Sequence, residues 1–273
     1  MNYLFRFALI AWLLIAVKLL GQLPAGGGGS GSSSVTATTG VFASLPATVN
    51  GIYGCTDCPY VWIGSGAAGQ AYFGSNPVTL PPSAGWSWDN QASSTVSVAN
   101  GMLCLSTPKS GTISLTLYYR TAPATPYTVK IAMLFDHGGA PPGSTGTKTN
   151  SGFGIAFRDS AAKLVDLRYF HDGSGPALAV TKWTNTTTFS ASYLLYQGSN
   201  TMYLTASRQL QWLSITDNGT NLIFQWSIDG ENWKTFDTRS RTDFMASGPN
   251  AYGIVHYANG NAVETCVVHL SVQ

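Results

Sequence analysis

From Trp86 to Gln273 the apolar residues fall at alternate positions in short runs broken by glycine, proline and asparagine, and a period of two restricts such runs to β-strands. Strands are predicted over 102–106, 113–120, 127–135, 152–158, 163–170, 177–183, 210–216, 221–228, 233–238, 251–257 and 264–272. Successive side chains of a strand point to opposite faces, so Ile113, Leu115 and Leu117 are expected on one face, as are Val129, Ile131, Met133 and Phe135, and as are Cys266, Val268 and Leu270. Asp217-Asn218-Gly219 and Asp229-Gly230 supply the positive φ angles of tight hairpins and predict a three-stranded meander across residues 210–238. Beyond the N-terminus no stretch of about 12 residues has a helical period. The fold class expected is all-β, an antiparallel sandwich.

Composition supports an extracellular kind of surface. Charged residues make up 10% of the 273-residue chain, against roughly 25% in ordinary soluble domains. The formal net charge is +2, and Arg6 and Lys18 in the N-terminal apolar segment account for it. With no clustered basic surface to neutralise phosphates, nucleic acid is excluded as an expected partner.

The N-terminus carries Arg6, the apolar run Phe7 to Val17, Lys18 and Leu23-Pro24-Ala25. This predicts a hydrophobic helix over residues 1–25 serving either as a cleaved signal peptide or as a retained membrane or assembly anchor. Residues 26–34, GGGGSGSSS, form a flexible linker. Residues 35–82 are expected to make a small collar, irregular or of two to three short strands, and residues 83–273 the sandwich. Membrane contact is expected through residues 1–25, and homo-oligomers through the N-terminal part.

Four cysteines suit an oxidising compartment. Cys55 and Cys58 form a C-x-x-C that suggests a small-loop disulfide. Cys104 and Cys266 lie on an early and on the last predicted strand, where they either pair or remain buried thiols. Gly64-Ser-Gly66-Ala-Ala-Gly69 matches a dinucleotide fingerprint in letters alone, because Gly74 and Pro77 prevent the helix that the fingerprint needs.

Trp86-Ser-Trp88-Asp-Asn-Gln91, NGMLCLSTP at 100–108, APATPYTV at 122–129, SGFGIAFRDS at 151–160, KLVDLRYF at 163–170, AVTKW at 179–183, WLSITDNGTN at 212–221, SIDGENW at 227–233 and RTDF at 241–244 follow one order. In that order, over about residues 82 to 273, the chain resembles the concanavalin A-like, laminin-G-like sandwich domains of tailed-bacteriophage structural and tail-associated proteins. The resemblance implies a jelly-roll sandwich in a virion or surface protein, used for adhesion to glycans or to other virion proteins. It brings calcium in by analogy, although no D-x-D-x-D-G loop is present and no other cofactor is expected. An export-like segment departs from the pattern of virion proteins assembled in the cytoplasm. It points to an exported or membrane-anchored protein on a virion or cell surface.

Sandwich enzymes that cleave glycans need two carboxyls flanking the scissile bond. The glutamates, Glu231 and Glu264, make no alternating acid array, so a non-catalytic protein is expected. The rivals are a hydrolase with an aspartate pair drawn from Asp136, Asp166 and Asp172, and a purely architectural component. Sugar recognition calls for an aromatic platform with fixed polar partners. The candidates are Trp88, Tyr169 and Trp183 with Asp89, Asp172 and Asn185, joined by Asp136-His137 and His171-Asp172 at predicted strand ends. His256 and His269, on strands among apolar residues, are expected in the core or at an edge.

Overall fold

The computed structural model describes residues 37–40, 51–55, 61–64, 69–73, 76–99, 101–136, 151–171, 176–197 and 210–273. The signal or anchor segment, the glycine-serine linker, Cys58, His137 and Asp172 lie outside the described residues, as do the side chains of Asp136 and His171. The chain divides into two bodies, Met1–Val78 and Thr79–Gln273.

The first body contains a five-stranded sheet. Its strands are β1 (Ala37–Gly40), β2 (Gly51–Cys55), β3 (Val61–Gly64), β4 (Gly69–Phe73) and β5 (Asn76–Val78), hydrogen-bonded in chain order. β1 and β2 run parallel and the other pairs antiparallel. Gly64 is paired with Gly69, so the glycine-rich stretch joins two antiparallel strands rather than a strand and a helix.

The second body is a sandwich of two seven-stranded antiparallel sheets, with no helix among its described residues. Its strands are β6 (Ser87–Asp89), β7 (Thr95–Ala99), β8 (Met102–Thr107), β9 (Leu115–Thr121), β10 (Tyr127–Asp136), β11 (Ser151–Arg158) and β12 (Leu164–His171). They continue with β13 (Pro176–Asn185), β14 (Thr188–Gln197), β15 (Leu210–Asp217), β16 (Asn221–Ser227), β17 (Lys234–Ser240), β18 (Ala251–Ala258) and β19 (Val263–Val272). The front sheet has the order β14-β13-β12-β11-β18-β9-β6, and the back sheet β17-β16-β15-β10-β19-β8-β7. Consecutive strands change sheets at β6 to β7, β8 to β9, β9 to β10, β10 to β11, β14 to β15, β17 to β18 and β18 to β19. The result is an all-β antiparallel sandwich whose chain passes repeatedly from one sheet to the other.

Alternation fills the space between the sheets. Phe153, Ile155 and Phe157 of β11 and Val165, Leu167 and Tyr169 of β12 meet Val129, Ile131 and Met133 of β10 and Leu213 and Ile215 of β15. Each such side chain, fully removed from water, contributes about 1.5–3 kcal/mol. Cys104 and Cys266 are direct cross-strand partners on β8 and β19, with Cα atoms 4.0 Å apart, and are joined by a disulfide. Both predicted hairpins form: the Asp217 carboxylate accepts the Gly219 amide, and the Asp229 carboxylate accepts those of Glu231 and Asn232.

Two expected faces are not those observed. Ile113 is 58% exposed in the bend before β9, so it does not share the buried face of Leu115 and Leu117. In β19 the register shifts opposite Ala132 and Met133, and the bulge lets Val267 and Leu270 enter the same core. Cys266, Val268 and Leu270 therefore do not form one row, because an inserted residue reverses every later side chain.

Candidate functional site

The outer face of the front sheet is built from the residues that alternate with the core. Leu115, Leu117, Ala156, Leu164, Trp183, Val255 and Tyr257 form a second buried apolar cluster there. Set within it, Asp166 of β12 accepts hydrogen bonds from Arg168 Nη1 and Thr181 Oγ1. Thr181 Oγ1 in turn accepts from Arg168 Nη1 at 2.9 Å and from Trp183 Nε1 at 2.8 Å. The Arg168 guanidinium lies 5.4 Å from the Phe170 and Trp183 ring centres and 5.2 Å from that of Tyr257. Gly154 makes room for this strand pair, since a Cβ there would sit 2.1 Å from Leu167 O and 2.6 Å from Arg168 Cα. Burial pushes the Asp166 carboxyl upward, against the opposing pull of Arg168.

The β13–β14 hairpin closes over this face. Three register shifts curl it, and its tip reaches β9, where Thr186 O accepts the Leu115 amide at 2.6 Å. Thr186 Oγ1 donates to Asp89 Oδ1 at 3.2 Å, and Arg158 Nε donates to Asp89 Oδ2 at 3.0 Å. Phe189 of β14 packs edge-on against Trp183, with ring centres 5.2 Å apart. Trp183 is left 1% exposed and Asp166 fully buried.

The residues expected to form a sugar platform are therefore dispersed. Tyr169 is 3% exposed between the sheets, 5.9 Å from the Phe153 ring, whereas Trp183 is sealed on the outer face. Register pairs Tyr169 with Leu178 and Leu164 with Trp183, and alternation then sends Tyr169 and Trp183 to opposite sides of the sheet. Trp88 is half-buried and packs on Tyr118, ring centres 4.4 Å apart. Asn185 serves the hairpin turn, its Oδ1 accepting from Thr187 N and Oγ1, both at 2.9 Å. Asp136 pairs with Glu264 in the register at the end of β10, and His171 with Ser151 and Pro176 at the end of β12. Among the described residues no three His, Cys, Asp or Glu side chains gather to hold a metal ion.

A different concavity lies where β6 leaves the front sheet and β7 enters the back sheet. It has a volume of about 530 Å³, and eight of its thirteen lining residues bear hydroxyls, among them Ser93, Ser94, Thr107, Thr112, Thr116 and Thr187. Among the described residues that line it there is no carboxylate, and Lys109 is the one charged side chain. Under its wall, Ser94 Oγ donates to Thr107 Oγ1 at 3.0 Å, and Thr107 Oγ1 lies 2.9 Å from His256 Nδ1. His256 Nε2 lies 2.5 Å from Thr265 Oγ1. Burial holds the His256 imidazole down at about 3, so it is neutral near pH 7. Sequence reasoning missed this cleft because its lining comes from three separated segments, residues 90–94, 107–116 and 187; the density of Ser and Thr over 93–116 was the available signal.

No protein-family model matches the sequence, and no curated protein is similar to it. Solved structures similar in fold include a functionally unknown protein from Saccharomyces cerevisiae, 14% identical, with a TM-score of 0.48 over 69% of this chain and 96% of that one. Another is the CBM2 module of the evolved Dit of Lactobacillus casei BL23 phage J-1, 13% identical, TM-score 0.44, covering 69% and 91%. Lectin I-B4 of Griffonia simplicifolia is 10% identical, TM-score 0.42, covering 69% and 93%.

Proposed function

We propose that the chain is a non-catalytic, phage-related virion or exported surface protein whose sandwich adheres to a glycan or protein partner. In this reading residues 1–34 present it outside the cytoplasm, as a secreted or membrane-anchored component that needs no cofactor. The observation that carries the non-catalytic part is the closed outer face of the front sheet. Glycan cleavage requires two carboxyls about 5–10 Å apart with substrate between them. Among the described residues of that face the carboxylates are Asp89, held by Arg158 and Thr186, and Asp166, held by Arg168 and Thr181 under the hairpin. Asp166 is fully buried, and Asp89, 23% exposed, is engaged by both of its donors. The hydroxyl-lined cleft, with no carboxylate among its described lining residues, supports binding rather than turnover. The phage assignment rests on the ordered sequence resemblance. A glycan array probed with the full chain tests adhesion, and retention of at least one glycan class is the expected result.

A second reading, an architectural component, is favoured by β14. This strand, TFSASYLLYQ, carries no charge and leaves Phe189 45% and Leu195 38% exposed. Silence on the glycan array together with stoichiometric capture of a virion protein, weakened by Leu195→Lys, is the result that would favour it.

A further inference from the structure

The cleft at the β6–β7 crossover has features that structural needs alone do not explain. Asn90 and Ala92, both lining it, hold left-handed backbone conformations with φ of 55° and 47°, which side-chain-bearing residues adopt at a cost. Asn90 is fixed by a 2.6 Å hydrogen bond from its Nδ2 to Leu115 O. Beneath the cleft a histidine and three hydroxyl residues occupy inter-sheet positions where apolar side chains would need no partners. Their hydrogen bonds run in one chain, Ser94 to Thr107 to His256 to Thr265.

Resting on the adhesive reading above, we propose that this cleft binds one uncharged sugar ring or similar polyol, and that His256 is a positioning residue for the hydroxyls that meet it. A neutral imidazole has one donor and one acceptor nitrogen. With Ser94 donating to Thr107, the Thr107 proton goes to His256 Nδ1, and Nε2–H donates to Thr265. Ser94 Oγ then keeps its lone pairs for a hydroxyl proton from the ligand. A sugar hydroxyl can donate that proton, whereas an ionised carboxylate or sulfate cannot. Lys109 alone offers little compensation for an anion's charge. The cleft volume suits a single ring, since ligand pockets begin near about 300 Å³.

The test titrates the full chain with glucose, galactose, mannose and N-acetylglucosamine and their short oligosaccharides, by calorimetry and ligand-observed NMR. Wild type is expected to bind at least one of them. Ser93→Trp, an exposed change that fills the cleft, and Thr107→Val, which breaks the hydroxyl chain, should each weaken that binding about tenfold or more. Thr107→Ser, which restores the hydroxyl, should stay within about twofold of wild type. Ile228→Ser, at a residue 80% exposed and not among those lining the cleft, should change nothing. Thermal melts of each variant separate loss of the site from loss of the fold. Binding that survives both Ser93→Trp and Thr107→Val would overturn the cleft assignment while leaving glycan adhesion intact. Binding confined to sulfated or carboxylated glycans and abolished by Lys109→Gln would overturn the uncharged class. No binding of any glycan by wild type would overturn the glycan half of the adhesive reading, and this inference with it.

Discussion

The Leu115 amide donates to the Thr186 carbonyl at 2.6 Å, tying the tip of the β13–β14 hairpin to a strand four positions away in the same sheet. An edge hairpin ordinarily extends its sheet. Here it is folded back, so the outer face that another sandwich could leave open is packed as a second core around Asp166, Arg168, Thr181 and Trp183.

Asp89 is the side-chain half of that tie, accepting from both Thr186 and Arg158. Asp89→Ala should cost about 1–3 kcal/mol, the usual loss when a partly buried charged acceptor is removed. Hydrogen exchange at the Leu115 amide should quicken by more than global unfolding explains, which exchange mass spectrometry reads directly.

The Asp166–Arg168 pair is sealed from water, so its two single deletions should be worse than its joint replacement. Asp166→Leu or Arg168→Met alone leaves a buried charge without its partner and should cost about 3–5 kcal/mol. The double variant should recover much of that loss, because two desolvated charges vanish together. Urea denaturation of the three variants completes the cycle.

Stability should fall on mild acidification. Burial lowers His256 to about 3 and His269 to about 4, the latter with help from Lys130, while an unfolded histidine titrates near about 6.5. The folded pKa values lie below the unfolded one, so the unfolded chain binds more protons in the interval between. The stabilisation is complete above about pH 6.5 and is lost as the pH falls toward 4 and then 3, each histidine contributing a slope of up to about 1.4 kcal/mol per unit. Replacing His269 by Gln should remove roughly half of the slope between about pH 5 and 6 in urea midpoints.

The Cys104–Cys266 bond joins residues 162 apart in sequence. Reducing it, or substituting both cysteines by serine, should lower stability by about 2–5 kcal/mol through the freedom returned to the unfolded chain. Melting curves with and without reductant measure the difference.

The sandwich was legible because period two survives in most strands: Val129, Ile131 and Met133 lie in the core as their spacing implied. The Asp217 and Asp229 turns were legible for the same reason, since their chemistry is local. Three strands were not. β6 has three residues and β7 five, while in β14 repeated register shifts against β13 erase alternation. The site failed where it depended on register. Tyr169 and Trp183 look alike as aromatic candidates, yet the pairing of β12 with β13 puts a sheet between them. The cleft was invisible because Ser94, Thr107, Thr187 and His256 become neighbours only when a crossover, two strand ends and a hairpin tip converge.

The most direct test of a binding rather than cleaving protein is prolonged incubation of the full chain with every polysaccharide it retains on an array, followed by mass spectrometry of released oligosaccharides. Unchanged polymer alongside measurable binding is the expected result. Release of oligosaccharides that disappears in Asp166→Asn or Asp89→Asn would contradict it.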